Sequence, residues 1–312
     1  MTDLSARKKI LRWFVLLCWF PALAIPAHAS AAPQALPFQE QQLKSMSLAQ
    51  LGNVEVTSVS KQPQEVWNTP APIYVITAQD IARSGATNIP DLLRLVPGVQ
   101  VSRYQSDGWA IGIRGFASGF SKNLLVMIDG RSVYTPLFEG VYWDVQDLML
   151  SDIDRIEVIR GPGGSVWGAN AVNGVINIIT KNARDTQGTY ASAIGGGSIE
   201  RFIGEAQEGW SFPNGVQMRL WAKGFNRGPE LDPDHKPYDA WHQERGGFRA
   251  DWQRNGRDRF MASGMIYQGE SGNQQAIGSY VPPAQTIVSS QDPVSGGGRG
   301  HGGQRSPRAR AL

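Results

Sequence analysis

One cysteine occurs in 312 residues. It is Cys18, inside an apolar run near the N-terminus, so the chain beyond that run has no disulfide or thiolate site and must be stabilised by packing. No stretch of about 20 apolar residues is present, which excludes a bundle of membrane helices. Charge of one sign is also scarce. The net charge of +3 is inflated by Arg299, Arg305, Arg308 and Arg310, and no aromatic-studded basic stripe accompanies it, so nucleic acid is not an expected partner. No Ser-His-Asp or Cys-His grouping stands in a context that supports catalysis, and the chain is not expected to be an enzyme. Glycine is plentiful instead, at 36 residues, with 10 tryptophans and only 18% charged residues. Turn-rich β structure with aromatic surfaces fits that mixture.

The N-terminus reads as an export signal. Arg7, Lys8, Lys9 and Arg12 precede an apolar run from Trp13 to Ile25, and Ala27-His28-Ala29 supplies the small residues of a cleavage site. Cleavage is expected after Ala29, giving a signal peptide at 1–29. From 30 to 61 a flexible leader rich in Ala, Pro and Gln leads to a short β-prone segment, Asn53 to Lys61, bounded by Gly52 and Pro63. Such a segment is either an edge strand or an extended piece awaiting a partner that adds a strand beside it.

Residues 62–183 have the texture of a compact α+β domain. Ile73-Tyr74-Val75-Ile76 is a short strand, and Thr77 with Asp80 caps a helix that ends at Gly85. A second helix starts at Thr87 or Asn88 with Pro90 in its first turn, carries Leu92, Leu93, Leu95 and Val96, and stops at Pro97-Gly98. Strands are expected at Val99–Arg103, Ala110–Arg114, Leu124–Ile128 up to the Asp129-Gly130 turn, Ile153–Arg160 and Val175–Lys181.

From 184 to 290 the rhythm becomes two-residue. Val216, Met218, Leu220 and Ala222 alternate with Gln217, Arg219, Trp221 and Lys223, and Phe248, Ala250 and Trp252 alternate with Arg249, Asp251 and Gln253. Tyr190–Ile194 and Phe260–Tyr267 continue it more loosely. Tight turns at Pro213-Asn214-Gly215 and Arg254–Arg257 and a longer loop at Gly228–Ala240 separate these segments. The pattern suits a transmembrane β-barrel and a soluble antiparallel sheet alike. The stretch 291–312, glycine- and arginine-rich from Gly296 onward, fits neither pattern and reads as out-of-frame translation.

Several motifs invite other readings. Gly161-Pro162-Gly163-Gly164 lacks dinucleotide spacing. Gly163 and Gly168 have phosphate-loop spacing, but Ala169 and Asn170 stand where lysine and a hydroxyl are needed. Strand alternation puts Asp152 and Asp154 on one face, where pairing with Arg155 or Arg160 is a better expectation than acid/base work, since no apolar pocket is evident. Asp232, Asp234, His235 and His242 lack a second ligand set and read as a solvated loop, so no metal and no cofactor is called for.

The residues from Thr77 to Lys181 resemble the plug domain of TonB-dependent receptors. The matching text is Thr77-Ala78-Gln79-Asp80-Ile81, Ile89-Pro90-Asp91-Leu92-Leu93, Val96-Pro97-Gly98-Val99, Ile113-Arg114-Gly115-Phe116 and Val126-Met127-Ile128-Asp129-Gly130-Arg131. It continues with Asp154-Arg155-Ile156-Glu157-Val158-Ile159-Arg160-Gly161-Pro162, then Trp167-Gly168-Ala169-Asn170-Ala171 and Asn173-Gly174-Val175 through Lys181. The resemblance implies an α+β plug followed by antiparallel transmembrane β-barrel strands, part of a 22-stranded barrel in the outer membrane. It also implies a scarce nutrient (siderophore-iron, cobalamin or similar) as ligand, outer-membrane lipid around the wall, and TonB with its inner-membrane complex as energising partner. Glu55, Val56, Thr57, Ser58 and Val59 are similar by position to the TonB box that pairs with TonB as an added strand. Outward plug loops near Tyr104, Trp109, Phe116, Tyr134 and Phe138 are the implied ligand contacts. Structural roles are implied for Arg114, Gly115, Asp129, Gly130, Arg155, Glu157, Arg160, Gly161, Pro162, Gly168, Asn170 and Gly174. A full barrel needs more than about 400 residues; about 130 follow the plug. The chain is therefore expected to be truncated and not transport-competent alone. A periplasmic binding or signalling module built on the plug fold is the alternative.

Overall fold

The computed structural model describes residues 55–56, 58, 64–65, 71–230, 239–255, 258–279 and 285–299. The expected signal peptide, the leader up to 54, Thr57, Val59 and the loop with Asp232, Asp234 and His235 lie outside the described residues.

A five-stranded sheet organises the first domain, in the spatial order Ile73–Thr77, Ile153–Ile159, Gly174–Thr180, Leu124–Ile128 and Arg131–Ser132. Its strands are β3 (Ile73–Thr77), β6 (Leu124–Ile128), β7 (Arg131–Ser132), β8 (Ile153–Ile159) and β9 (Gly174–Thr180). Strand β9 runs parallel to β6 and antiparallel to β8. Every residue of β6 is buried, as its uninterrupted Leu-Leu-Val-Met-Ile text requires of a strand covered on both faces. Pleat alternation divides the core in two. Val126, Ile128, Ile156, Val158, Ile176 and Ile178 point to one layer, where Ile81, Ile89, Leu92 and Leu93 from two helices meet them. Leu125, Met127, Ile159 and Val175 point to the other, covered by Ala171 and Trp167.

Those helices are α1 (Ala78–Ser84) and α2 (Ile89–Leu93). Thr77 and Asp80 make a reciprocal capping box, and Gly85 closes α1 at φ 66°, a left-handed conformation that glycine adopts without steric cost. Asn88 caps α2, which is shorter than its sequence suggests and ends before Leu95. Between α2 and β6 stands a hairpin of β4 (Val99–Gln105) and β5 (Gly108–Ile113). Two features depart from expectation. Gly164–Trp167 forms a one-turn helix, α3, within the glycine-rich text. Asp152 ends a 3-10 turn, Leu150–Asp152, instead of sharing a strand face with Asp154.

Two short strands precede this domain, β1 (Glu55–Val56) and β2 (Gln64–Glu65), paired antiparallel. After it, six antiparallel strands follow in chain order: β10 (Gly188–Gly195), β11 (Glu200–Ser211), β12 (Val216–Arg227), β13 (Trp241–Asn255), β14 (Asp258–Ser279) and β15 (Gln285–Arg299). The backbone of β15 stays paired with β14 to Ile266↔Arg299, so part of the stretch expected to stand apart is drawn into the sheet.

From β11 to β14 the two-residue rhythm has one sense. Odd-numbered Arg219, Lys223, Arg227, Arg245 and Arg249 are buried against the first domain, while even-numbered Phe202, Trp210, Leu220, Phe248, Phe260 and Ile266 are exposed on the far side. A sheet with cations inside and aromatic and aliphatic groups outside suits lipid, not water, as its outer surroundings. We call this sheet the wall.

Candidate functional site

The inner face of the wall is electrostatically incomplete by itself. Arg219 stands directly across from Arg249, and Lys223 from Arg245, on neighbouring strands. Like charges directly opposite repel, and burial makes the repulsion worse. The first domain and the wall's own acids share the task of compensation. Arg219 pairs with Asp152 at 3.4 Å, and Lys223 with Asp147 at 3.1 Å and with Glu205 of the wall itself at 3.3 Å. Arg249 spans Asp251 at 2.9 Å and Asp129 at 3.5 Å. Arg227 holds Glu200 at 2.9 Å and donates to the Thr87 carbonyl at 3.2 Å. Arg245 donates to the Asp147 carbonyl, and Lys223 to that of Leu148. Residues 143–152 thus form a strap whose acids and carbonyls are gripped by three wall cations. Sequence reasoning assigned Asp152 to Arg155 or Arg160. The correction is that it reaches the wall instead, because the 3-10 turn swings it away from β8.

Burial shapes the acids of this strap. Asp152 is pushed up to about 6, chiefly by loss of solvent and against the pull of Arg219 and Lys181, so it does have the desolvated setting that the sequence did not reveal. Asp144 rises to about 7, first from burial and then from the Asp107 carboxylate. Burial alone would also raise Asp147, but Lys223, Arg245 and Arg227 together hold it below the ordinary range.

Ser58 is docked on the second face of the sheet. Val56 and Ser58 are fully buried. The Ser58 amide donates to Glu157 Oε2 at 2.9 Å, and its hydroxyl donates to the same oxygen. Asn177 Nδ2 donates to Ser58 Oγ at 3.0 Å, and Trp167 Nε1 to the Ser58 carbonyl at 2.6 Å. Glu157 and Asn177 are register partners on β8 and β9. They occupy positions where the alternation calls for apolar residues, and that mismatch is the signal in the sequence that could have revealed the socket. Arg155 holds the other Glu157 oxygen at 2.8 Å and Asp154 at 2.6 Å.

Tyr104 (54%), Phe116 (60%) and Phe138 (43%) are exposed. Phe138 stacks on Phe120 at 5.7 Å, and Tyr142 meets both edge-on. Burial, then Asp107 and Asp144, raise the Tyr104 phenol. Tyr134 lines a cavity of ≈ 870 Å³ between Arg131, Gln146 and the wall residues Trp221, Arg249 and Tyr267. Trp109 is placed otherwise. It is buried edge-to-face against Trp241 of the wall at 6.2 Å, beneath the Arg103 guanidinium. Arg103 in turn binds Glu230 at 2.9 Å, and the Ser106 amide donates to Asp239 at 2.7 Å. Both contacts fasten the β4–β5 hairpin to the loop after β12. His242 is exposed on the outward face of β13, away from these groups.

The remaining motif residues shape the chain. Arg114 (φ 60°) and Gly115 (φ 84°) turn it after β5. Asp129 and Gly130 turn it after β6, with the Asp129 carboxylate accepting from the Thr180 amide at 2.8 Å. Arg160 donates to the Pro97 carbonyl at 3.1 Å, tying the Gly161-Pro162 corner to the turn between α2 and β4. Gly168 ends α3 at φ 89°, with Asn170 half-buried just beyond it. Gly174 has no room for a side chain: a Cβ would lie 2.5 Å from the Ile159 carbonyl oxygen.

A small α+β domain seated by buried ion pairs on the inner face of antiparallel strands, with a docked strand-like segment ahead of it, is the arrangement of a plug in a β-barrel. Residues 65–175 match the family described as "TonB-dependent Receptor Plug Domain", so this part of the chain is a plug domain. Over 184 residues it is 31% identical to the "Vitamin B12 transporter BtuB" of Vibrio vulnificus (strain CMCP6), an alignment covering 59% of this chain and 29% of that protein. In fold it is similar to the pyoverdine outer membrane receptor FpvA from Pseudomonas aeruginosa PAO1, with a TM-score of 0.55 and 20% identity over 70% of this chain and 30% of that one. The ferric citrate transporter FecA gives a TM-score of 0.54 at 19% identity, over 70% and 34%. The chain therefore spans about a third of the length of these relatives. All three are transporters or receptors, not enzymes.

Proposed function

We propose that the chain is the gate and first wall section of a TonB-dependent outer-membrane transport receptor for a scarce nutrient, energised by TonB pairing with residues 55–59. The observation that carries this reading is the division of the molecule. A plug with an apolar core is fastened to the wall by ion pairs, carbonyl grips and one apolar patch at Ile203, Phe225 and Trp241, while the wall turns most of its apolar groups outward. Such a plug can be displaced without dismantling its support. Work at this site is mechanical: a pull on 55–59 reaches β8 through Glu157, and β8 continues from the strap that the wall cations hold. Cobalamin is the first nutrient to try, because the Vibrio vulnificus relative is named for its transport; ferric siderophores come next. The exposed aromatics Tyr104, Phe116 and Phe138 form the contact surface, with Tyr134 beside the cavity.

A cysteine placed at Thr57 or Val59 should cross-link to TonB in cells, and absence of any cross-link at either position would overturn the coupling assignment. Fractionation separates the alternative reading. Heat-modifiable gel mobility in outer-membrane fractions is expected, whereas recovery in the soluble periplasm would favour a binding or signalling module instead.

A further inference from the structure

One charge interrupts the apolar zone on the wall's outward face. Glu208 is even-numbered on β11, so it points to the same side as the exposed Phe202 and Trp210. Strand pairing sets it in a row with Leu220, Phe248 and Gly264. Across β10 to β14, and among the described residues, the outward rows from Trp252 and Phe260 to Ala222 and Ile266 hold no other charged group. A carboxylate on a lipid-facing surface carries a desolvation cost, which a cation beside it would offset. Among the described residues its carboxylate has one partner, the hydroxyl of Thr189 directly opposite on β10, which donates to Oε2 at 2.5 Å. Trp210 lies two residues along, about 7 Å nearer the short turn at Phe212–Gly215. Trp252 marks the same end of β13: its indole donates to the Asn214 carbonyl of that turn at 3.2 Å, and its ring lies 5.6 Å from Phe260. Short turns mark the periplasmic end of such strands, and indoles gather at the level of lipid headgroups. Glu208 therefore stands within a side chain's reach of that level.

The chemistry that fits is a primary ammonium. Its charge pairs with the carboxylate, its N–H groups reach oxygens of Glu208 and Thr189, and an indole face attracts it as well. We propose that Glu208, Thr189 and Trp210 form a headgroup site on the wall's outward face, taking the ammonium of a phosphatidylethanolamine in the periplasmic leaflet. The site rests on reading the wall as lipid-facing. A trimethylammonium group has the charge but no N–H to donate, so phosphatidylcholine should be held more weakly. Free ethanolamine lacks the acyl chains that Leu220 and Phe248 would cover, and should not be retained.

Native mass spectrometry of the full chain in mild detergent, titrated with each of these three compounds, tests the site. Phosphatidylethanolamine should bind about tenfold more tightly than phosphatidylcholine of the same acyl chains, the scale of one charge-assisted hydrogen bond. Glu208→Gln should erase that preference and Thr189→Val should reduce it. Glu244→Gln, toward the far end of the same face, should leave it intact. Equal preference in the unaltered chain and in Glu208→Gln would overturn the site, as would ethanolamine competing as well as the lipid. So would a Glu208-dependent dimer with no change in lipid preference, which would assign the carboxylate to a cation on a second copy. Each of these results leaves the lipid-facing wall untouched. Recovery of the chain in the soluble periplasm would defeat that reading, and the site with it.

Discussion

Inside the plug, Ile76, Ile156, Val158, Ile176 and Ile178 are all fully buried and meet hydrocarbon. At the seam with the wall, Arg219, Lys223, Arg227, Arg245 and Arg249 are buried nearly as deeply but meet carboxylates and carbonyls. The two regions are held by different physics. Hydrocarbon burial contributes about 25 cal/mol per Å² regardless of orientation. A buried ion pair adds little net stability, because desolvation offsets attraction, yet losing one partner is costly. The core therefore supplies cohesion, and the ion pairs supply register: they fix one seated position and add little net hold beyond the apolar patch at Trp109, Phe225 and Trp241.

The largest effect that would test this contrast is at Lys223. Lys223→Ala strands Asp147 and Glu205 in the seam and should lower stability by about 3–5 kcal/mol, read from chemical unfolding of the full chain. Replacing all three groups at once, with Lys223→Met, Asp147→Leu and Glu205→Gln, should restore most of that loss; if it does not, the seam is a source of cohesion after all. Ile156→Ala in the core should cost about 2–5 kcal/mol, and no second deletion should restore it. The smallest effect concerns pH. Asp152 and Asp144 hold their protons more tightly folded than unfolded, so each contributes stability that is complete below the ordinary carboxyl value of 3.8 and is lost as pH rises to about 6 and about 7 respectively. Stability should thus decline from pH 4 to pH 7, and Asp152→Asn with Asp144→Asn should flatten that slope in the same unfolding measurement. A slope that both substitutions leave intact would place its origin elsewhere.

Local chemistry made much of this legible in the sequence. The Thr77–Asp80 box, the Asn88 cap with Pro90, the Asp129-Gly130 turn and the apolar run of β6 each act over a few residues and appear in the structure as read. Alternation likewise placed Leu220 and Phe248 opposite Arg219 and Arg249. Strand β11 escaped notice because its outward positions include Gly204, Ala206 and Glu208, which blunt the apolar rhythm. The seam and the socket were out of reach for a different reason. Lys223 and Asp147 are 76 residues apart, and Ser58 and Glu157 are 99 apart. No periodicity records a partner at that distance. Trp109 illustrates the same limit: its sequence neighbours suggest an outward loop, while its true neighbour is Trp241.

The facing cations on β12 and β13 bear on how the molecule is assembled. Arg219 beside Arg249 and Lys223 beside Arg245 would push those two strands apart for as long as their inner surface remained bare. Glu205 and Asp251 on the wall relieve part of that repulsion, and Asp152, Asp147 and Asp129 of the plug relieve more. Each plug acid thus answers a pair of facing cations that the wall's own acids, Glu205 and Asp251, balance only in part.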